Sequence, residues 1–278
     1  MPRADRWGAS PGRLAPPHGV ARRRSRARCP GARAPVTGRL RALLRLVAVQ
    51  ASWTYERMQG IGIAVAEEPL LRPLNRDPER ARAARARSAQ YFNAHPFLAG
   101  AAVGALARAE LDGEPGERIL RLRTALSGPL GALGDQLFWA GIVPATMGVA
   151  LIAVALGGGL AVVVLCALAY NGLRVAVTEW GLRVGLAHGI KVAHAISESW
   201  LPRLAPRAGD LAALVLGFAV PVMAVWLLRS AGYGTRPTVL VVAGSAALGA
   251  ATIRRPISAP ALTLVVGLVT LIWRWSAP

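Results

Sequence analysis

Residues 138–178 read FWAGIVPATMGVALIAVALGGGLAVVVLCALAYNGLRVAVT, with Arg174 as the only charge. Two apolar stretches, about 138–156 and 159–178, meet at the hinge Gly157-Gly158-Gly159. Each approaches the ~20 residues that a helix needs to cross a bilayer. Trp180 and Arg183 follow, where interfacial anchors belong. Three more apolar runs close the chain, at about 211–228, 237–253 and 257–273, and Trp273-Arg274-Trp275 makes an interfacial terminus. Together these runs predict an all-α integral membrane protein. Amphipathic and broken or re-entrant helices should come first, followed by about four to six membrane segments.

The composition agrees. Of 278 residues 54% are apolar, which is too many for an ordinary soluble domain. The net charge of +19 sits mostly before residue 46 and between Arg72 and Arg87. Arginine beside long apolar runs, with no groove-reading or zinc motif, reads as membrane flanks and excludes nucleic acid as the partner. These flanks place the N-terminus in the cytoplasm. Lys191 is the only lysine, a bias that reflects genome composition rather than chemistry. Cys29 lies in the basic head and Cys166 inside an apolar run, so neither a disulfide nor a metal site is expected.

Three regions follow. Residues 1–38 are rich in Arg, Pro, Gly and Ala and cannot bury a core. They lack the apolar centre of a secretory signal. They read either as a disordered basic tail touching anionic membrane lipid or as the product of a start codon called too early. Residues 39–200 carry the unusual motifs, and 201–278 carry the last membrane segments. Within the middle region, 40–66 is the first helical candidate, with Leu40, Leu43, Leu44 and Val47 on one stripe. Pro69, Pro73 and Pro78 punctuate a loop, and 79–92 reads as a basic helix starting near Asp77 or Pro78. His95-Pro96 stops that helix, 97–109 is a helix or half-span, and 110–118 is an acidic polar turn.

Three constellations bear on function. On a helix, Trp53, Glu56 and Gly60 share one face, with Gln59 near Glu56. An indole covers the C–H face of a sugar, while a carboxylate and an amide hydrogen-bond its hydroxyls. The same residues also suit an interfacial helix anchored at the headgroups. Asn93 and His95 tie down the turn made by Pro96, or His95 serves as a phosphate acceptor or ligand partner. Gly128, Gly131 and Gly134 recur around Pro129 before Asp135. That pattern predicts a broken helix or re-entrant hairpin, with Asp135 as the cap of the segment leading to Phe138-Trp139. Such breaks are tolerated at membrane depth where they are buried or line a cavity; a cap at the membrane surface fits the spacing equally. Glu179 is placed to pair with Arg174 or Arg183. No nucleophile elbow, metal-binding helix or phosphate-cradling loop is present, so neither catalysis nor a cofactor is expected.

The strings 50–60 (QASWTYERMQG), 91–96 (YFNAHP), Gly128-Pro129-Leu130 with Gly134-Asp135 and Phe138-Trp139, and Tyr170-Asn171 with Arg174 and Trp180-Gly181 carry a resemblance. In order and spacing the chain resembles the IID component of the mannose/fructose/sorbose family of the bacterial phosphoenolpyruvate-dependent sugar phosphotransferase system. The resemblance covers about residues 40–200. It implies a multi-pass subunit of the bacterial inner membrane that forms a hetero-oligomer with a IIC membrane subunit. The pair would move a hexose that IIB phosphorylates, IIB being charged by IIA, with no phosphorylated residue in this chain. It makes Trp53, Glu56, Gln59 and Gly60 the sugar-site candidates, with Asn93, His95, Gly134, Asp135 and Trp139 supporting the pathway. Three departures stand out. Thr54 replaces an asparagine, Val143 replaces an arginine, and the stretch between Glu198 and Pro237 is short. A non-transporting phosphotransferase scaffold with a regulatory role would tolerate these changes.

Overall fold

The computed structural model describes residues 36–234, together with Val239, Ala243 and Gly244. The predicted basic head and, those three positions apart, the apolar runs expected at 237–253 and 257–273 lie outside the described residues.

Among the described residues the regular structure is helical, with two isolated β-bridges. The expected helix over 40–66 is two. Helix α1 covers Arg39–Val47, and α2 covers Gly60–Leu71 with Pro69 inside it rather than in a loop. A short 3-10 turn at Arg72–Arg76 leads to α3, Pro78–Ser88. Here the sequence signal is followed closely: the Asp77 carboxylate accepts from Arg80 N at 3.2 Å, and Pro78 occupies the first turn, where its missing N–H costs nothing. The helix ends at Ser88, well before His95-Pro96.

Helix α4, Ala99–Asp112, is the centre of the molecule, and its residues from Ala99 to Leu111 are buried. It is built of alanine and glycine because α7, Leu160–His188, crosses it at backbone distance. A Cβ on Gly104 would lie 2.5 Å from the Leu182 carbonyl. Small residues on both sides allow the approach, the usual solution where lipid removes a hydrophobic drive between helices. The predicted acidic turn starts later than expected. Glu110 is still helical and buried, and α4 stops only at Gly113, with φ +80.

Helix α5, Gly116–Gly134, passes through Pro129 and runs into a π-helical stretch, Asp135–Ile142, and then α6, Val143–Ala155. The glycine-rich region therefore does not reverse the chain. Its irregularity is an under-wound π segment inside one helix of 40 residues, Gly116–Ala155. Asp135 sits in αR backbone within that run and is exposed, so it caps nothing. The Gly157–Gly159 hinge joins α6 to α7 as the sequence predicts. A second 3-10 turn at Gly189–Lys191 precedes α8, Val192–Ser197, and then α9, Leu201–Ser230. Three of the described helices are long and apolar enough to cross a membrane: Gly116–Ala155, Leu160–Ser197 and Leu201–Ser230.

Candidate functional site

Residues 48–59 form a chain of turns, not a helix. Thr54 and Met58 exchange backbone hydrogen bonds of 3.2 and 2.8 Å, and Met58 takes φ +50 to close the loop. The Thr54 hydroxyl accepts from Arg57 N at 3.2 Å, which a short side-chain oxygen does well in such turns. The base of the loop is stitched to residues 89–94. Gln59 N donates to Phe92 O at 2.9 Å and Phe92 N to Arg57 O at 3.3 Å. Buried Gln59 donates through Nε2 to Ala94 O at 2.6 Å. Gly60 abuts the Gln90 carbonyl so closely that any Cβ would overlap it.

This geometry separates the four sugar-site candidates. Trp53 is 48% exposed and Glu56 is exposed, both at the loop tip. Trp53 stands edge-on to Tyr55 at 6.0 Å, and the Glu56 side chain has no partner among the described residues. Gln59 and Gly60 are buried beneath them as the anchor. The one-face helical arrangement read from the spacing is not formed.

Other expected residues do meet. His95 is buried, its Nδ1 accepting from Phe97 N at 3.3 Å. Its ring stacks on Phe138 at 5.1 Å and 12°, and lies 5.3 Å from Trp139. It fits because Gly134 offers no side chain on that side. Asn93 itself is exposed. It holds the turn through its backbone, taking a hydrogen bond from the Ser127 hydroxyl and donating back to it at 3.2 Å. Trp139, 52% exposed, lines a cavity of ≈ 190 Å³ with Gln50, Phe97, Tyr170, Arg174 and Thr178. Glu179 joins Arg183 and Arg39 instead of Arg174.

A buried polar cluster lies outside the sequence motifs. Between α2, α3, α4 and α5, Glu67 accepts from the Ser88 hydroxyl. Arg87 holds Glu110 by two bonds of 2.7 Å. Arg123 donates to the carbonyls of Ser88, Gln90 and Tyr91 at 2.8, 2.7 and 3.1 Å, satisfying the C-terminal end of α3 and the turn after it. A signal was present. Ile63, Glu67 and Leu70 share one helical stripe, and so do Ile119, Arg123 and Leu126. A charge at a core position of an apolar stripe marks a buried pair.

Burial raises the Glu67 carboxyl from 4.5 to about 7, with Arg123 and the Ser88 hydroxyl opposing it. Burial lowers His95 from 6.5 to about 4. The signs are opposite. Folded Glu67 holds a proton that the unfolded chain has released, so its share of stability falls as pH rises from about 4.5 to about 7. Folded His95 lacks a proton that the unfolded chain binds, so its share is present above 6.5 and is lost as pH falls towards about 4. In the overlap the two offset each other. Thermal unfolding in detergent should therefore split the variants relative to wild type. Glu67→Gln should lose stability as pH falls below 6.5, and His95→Gln should gain it as pH falls from 7. The Glu67-dependent slope is about 1.4 kcal/mol per pH unit. Parallel profiles for wild type and both variants would rule this out.

The model for the PTS system mannose/fructose/sorbose family IID component matches residues 37–230. The mannose-specific EIID component of Escherichia coli K12 is 30% identical over 185 residues, covering 64% of this chain and 64% of that protein. The fructose permease IID component of Bacillus subtilis is 28% identical over 176 residues, covering 61% and 63%. The chain thus matches less than two thirds of the length of these relatives. A solved structure described as a membrane protein is similar at a TM-score of 0.60 and 25% identity, over 84% of this chain and 94% of that one.

Proposed function

This chain belongs to the mannose/fructose/sorbose family of PTS IID components, and we propose that it translocates a hexose together with a IIC membrane subunit while IIB phosphorylates the sugar at the expense of IIA. In this reading it lies in the bacterial inner membrane with its N-terminus in the cytoplasm.

The observation that carries the reading is the turn at 48–59. It presents Trp53 and Glu56 outward on a base pinned by Gln59 and Gly60. An exposed indole and an exposed carboxylate in the same turn suit a sugar, with its apolar face and its ring of hydroxyls. A pinned loop loses little entropy on binding, which favours recognition. Gln59 then acts from below, holding the turn rather than touching sugar. His95, Gly134 and Trp139 form the joint between this base and the π-helix. Such segments cluster at functional positions.

The scaffold reading rests on Val143, which stands where the family pattern has an arginine. Thr54 favours transport, since its hydroxyl makes the turn's bond to Arg57 N. Membrane vesicles from cells expressing the chain with its IIC partner decide between the two. Supplied with the soluble phosphotransfer proteins, phosphoenolpyruvate and a panel of hexoses, they should release pyruvate with at least one sugar. A stable complex with no turnover on any hexose would establish the scaffold instead.

A further inference from the structure

An apolar groove of ≈ 390 Å³ opens between α6 and α7, lined by Val143, Met147, Ala150, Val163, Cys166 and Ala167 among others. Trp139 and Tyr170 close one end, and the same two side chains line the smaller chamber that contains Arg174. The Arg174 guanidinium lies over the Phe97 ring at 4.9 Å and has no carboxylate partner among the described residues, Glu179 being held by Arg183 and Arg39. A long apolar slot thus ends at a cation.

The depth of that cation is readable. Arg174 lies 14 residues after Leu160, the start of α7, which is about 21 Å along the helix. A hydrocarbon core of about 30 Å therefore places it several ångströms short of the far surface, within reach of a lipid phosphate. Helix α1 marks the same surface independently. Leu40, Leu44 and Val47 are 70, 63 and 50% exposed on one stripe beside Arg41, the form of a helix lying in the headgroup layer. Arg39 reaches Glu179 of α7 at 3.4 Å, and Val47 and Gln50 line the chamber with Arg174.

We propose that this groove holds an acyl chain of an anionic phospholipid, with the phosphate met by Arg174 beside Gln50 and Tyr170. Basic pockets between membrane helices take acidic headgroups for the same reason. A hexose does not suit the groove. Away from the end closed by Trp139 and Tyr170, its amide and hydroxyl side chains are engaged with their own helices, Asn171 Nδ2 with Ala167 O at 2.8 Å and the Thr146 hydroxyl with Ile142 O at 2.7 Å. Sugar hydroxyls facing Val143, Met147 and Val163 would lose their hydrogen bonds to water without replacement.

The test uses the full chain purified with its co-expressed membrane partner, stripped of lipid in detergent. Dioleoyl phosphatidylglycerol or dioleoyl phosphatidylcholine is added back, and bound lipid is counted by native mass spectrometry. Wild type should prefer phosphatidylglycerol by about fivefold, and salt should erode the preference. Arg174→Gln should abolish the preference, weakening phosphatidylglycerol about fivefold more than phosphatidylcholine, while Arg174→Lys should keep it. Ala167→Trp should remove one bound lipid of either kind. Should a variant fail to fold, the wild-type preference and its salt dependence still decide. Equal binding of the two lipids by wild type overturns the proposal, as does an undiminished preference in Arg174→Gln. Displacement of phosphatidylglycerol by a millimolar hexose overturns it too, and assigns the groove to substrate.

Discussion

Gly134→Ala is expected to destabilise the folded protein by about 3 kcal/mol, near the upper end of what overpacking costs. A Cβ there would overlap His95 Cβ and Cγ. The histidine cannot step aside. Its ring is stacked on Phe138 at 5.1 Å, edge-on to Phe97 at 4.9 Å and beside Trp139 at 5.3 Å. Its backbone is fixed as well, since the His95 carbonyl accepts from Leu98 N at 3.0 Å and Ala99 N at 3.1 Å at the start of α4. The clash must therefore move α5 away from the 93–98 turn, opening the junction of the π-helix. Unfolding in detergent, followed by tryptophan fluorescence, measures the loss. A double-mutant cycle with His95→Gly isolates the contact. In that background the added methyl should cost nothing and should stabilise by up to ~1 kcal/mol, as at an ordinary helical glycine. A cost that is the same in both backgrounds would place the strain elsewhere.

This contact also shows what the sequence could and could not reveal. Gly128, Gly131 and Gly134 announce an irregular helix, and the irregularity is there. Local spacing cannot tell whether a glycine breaks a helix or admits a neighbour, because His95 lies 39 positions away along the chain. The apolar runs up to residue 230, the Gly157–Gly159 hinge and the Asp77-Pro78 start were legible because each depends on neighbours in sequence. The Trp53–Gly60 segment was misread as helical for the opposite reason. Its turns are held by Phe92 and Ala94, more than thirty residues downstream, and by a positive φ at Met58 that helical spacing cannot foresee. Pro69 sits in α2 rather than in a loop because tertiary packing buries it among Ile63, Leu70 and Leu71. Glu67 and Arg123 are charges of a kind usually found at the surface, but the stripes they interrupt face the core.

Glu56→Gln is expected to reduce hexose uptake by about a hundredfold while leaving the membrane complex intact. The structural side of this expectation is simple. Glu56 is exposed and makes no side-chain hydrogen bond or ion pair among the described residues, so an isosteric amide disturbs nothing there. Stability should stay within about 0.5 kcal/mol of wild type. Any large functional loss must then come from what Glu56 meets outside this chain. Trp53→Ala should behave alike, with roughly a tenfold loss, because its indole is half exposed and edge-on to Tyr55. Gln59→Ala is the contrasting control. It leaves the Ala94 carbonyl buried and unpaired, so it should lower stability by about 1–3 kcal/mol and reduce uptake only through the loosened turn. Uptake and melting temperature measured on the three variants thus separate recognition from support. Normal uptake by Glu56→Gln, with the complex present, would remove Glu56 from the sugar path and leave the turn as a docking element for the IIC subunit. Loss of uptake together with the complex would place the carboxylate at the subunit interface instead. Loss of uptake alone is the signature of a residue that meets the sugar.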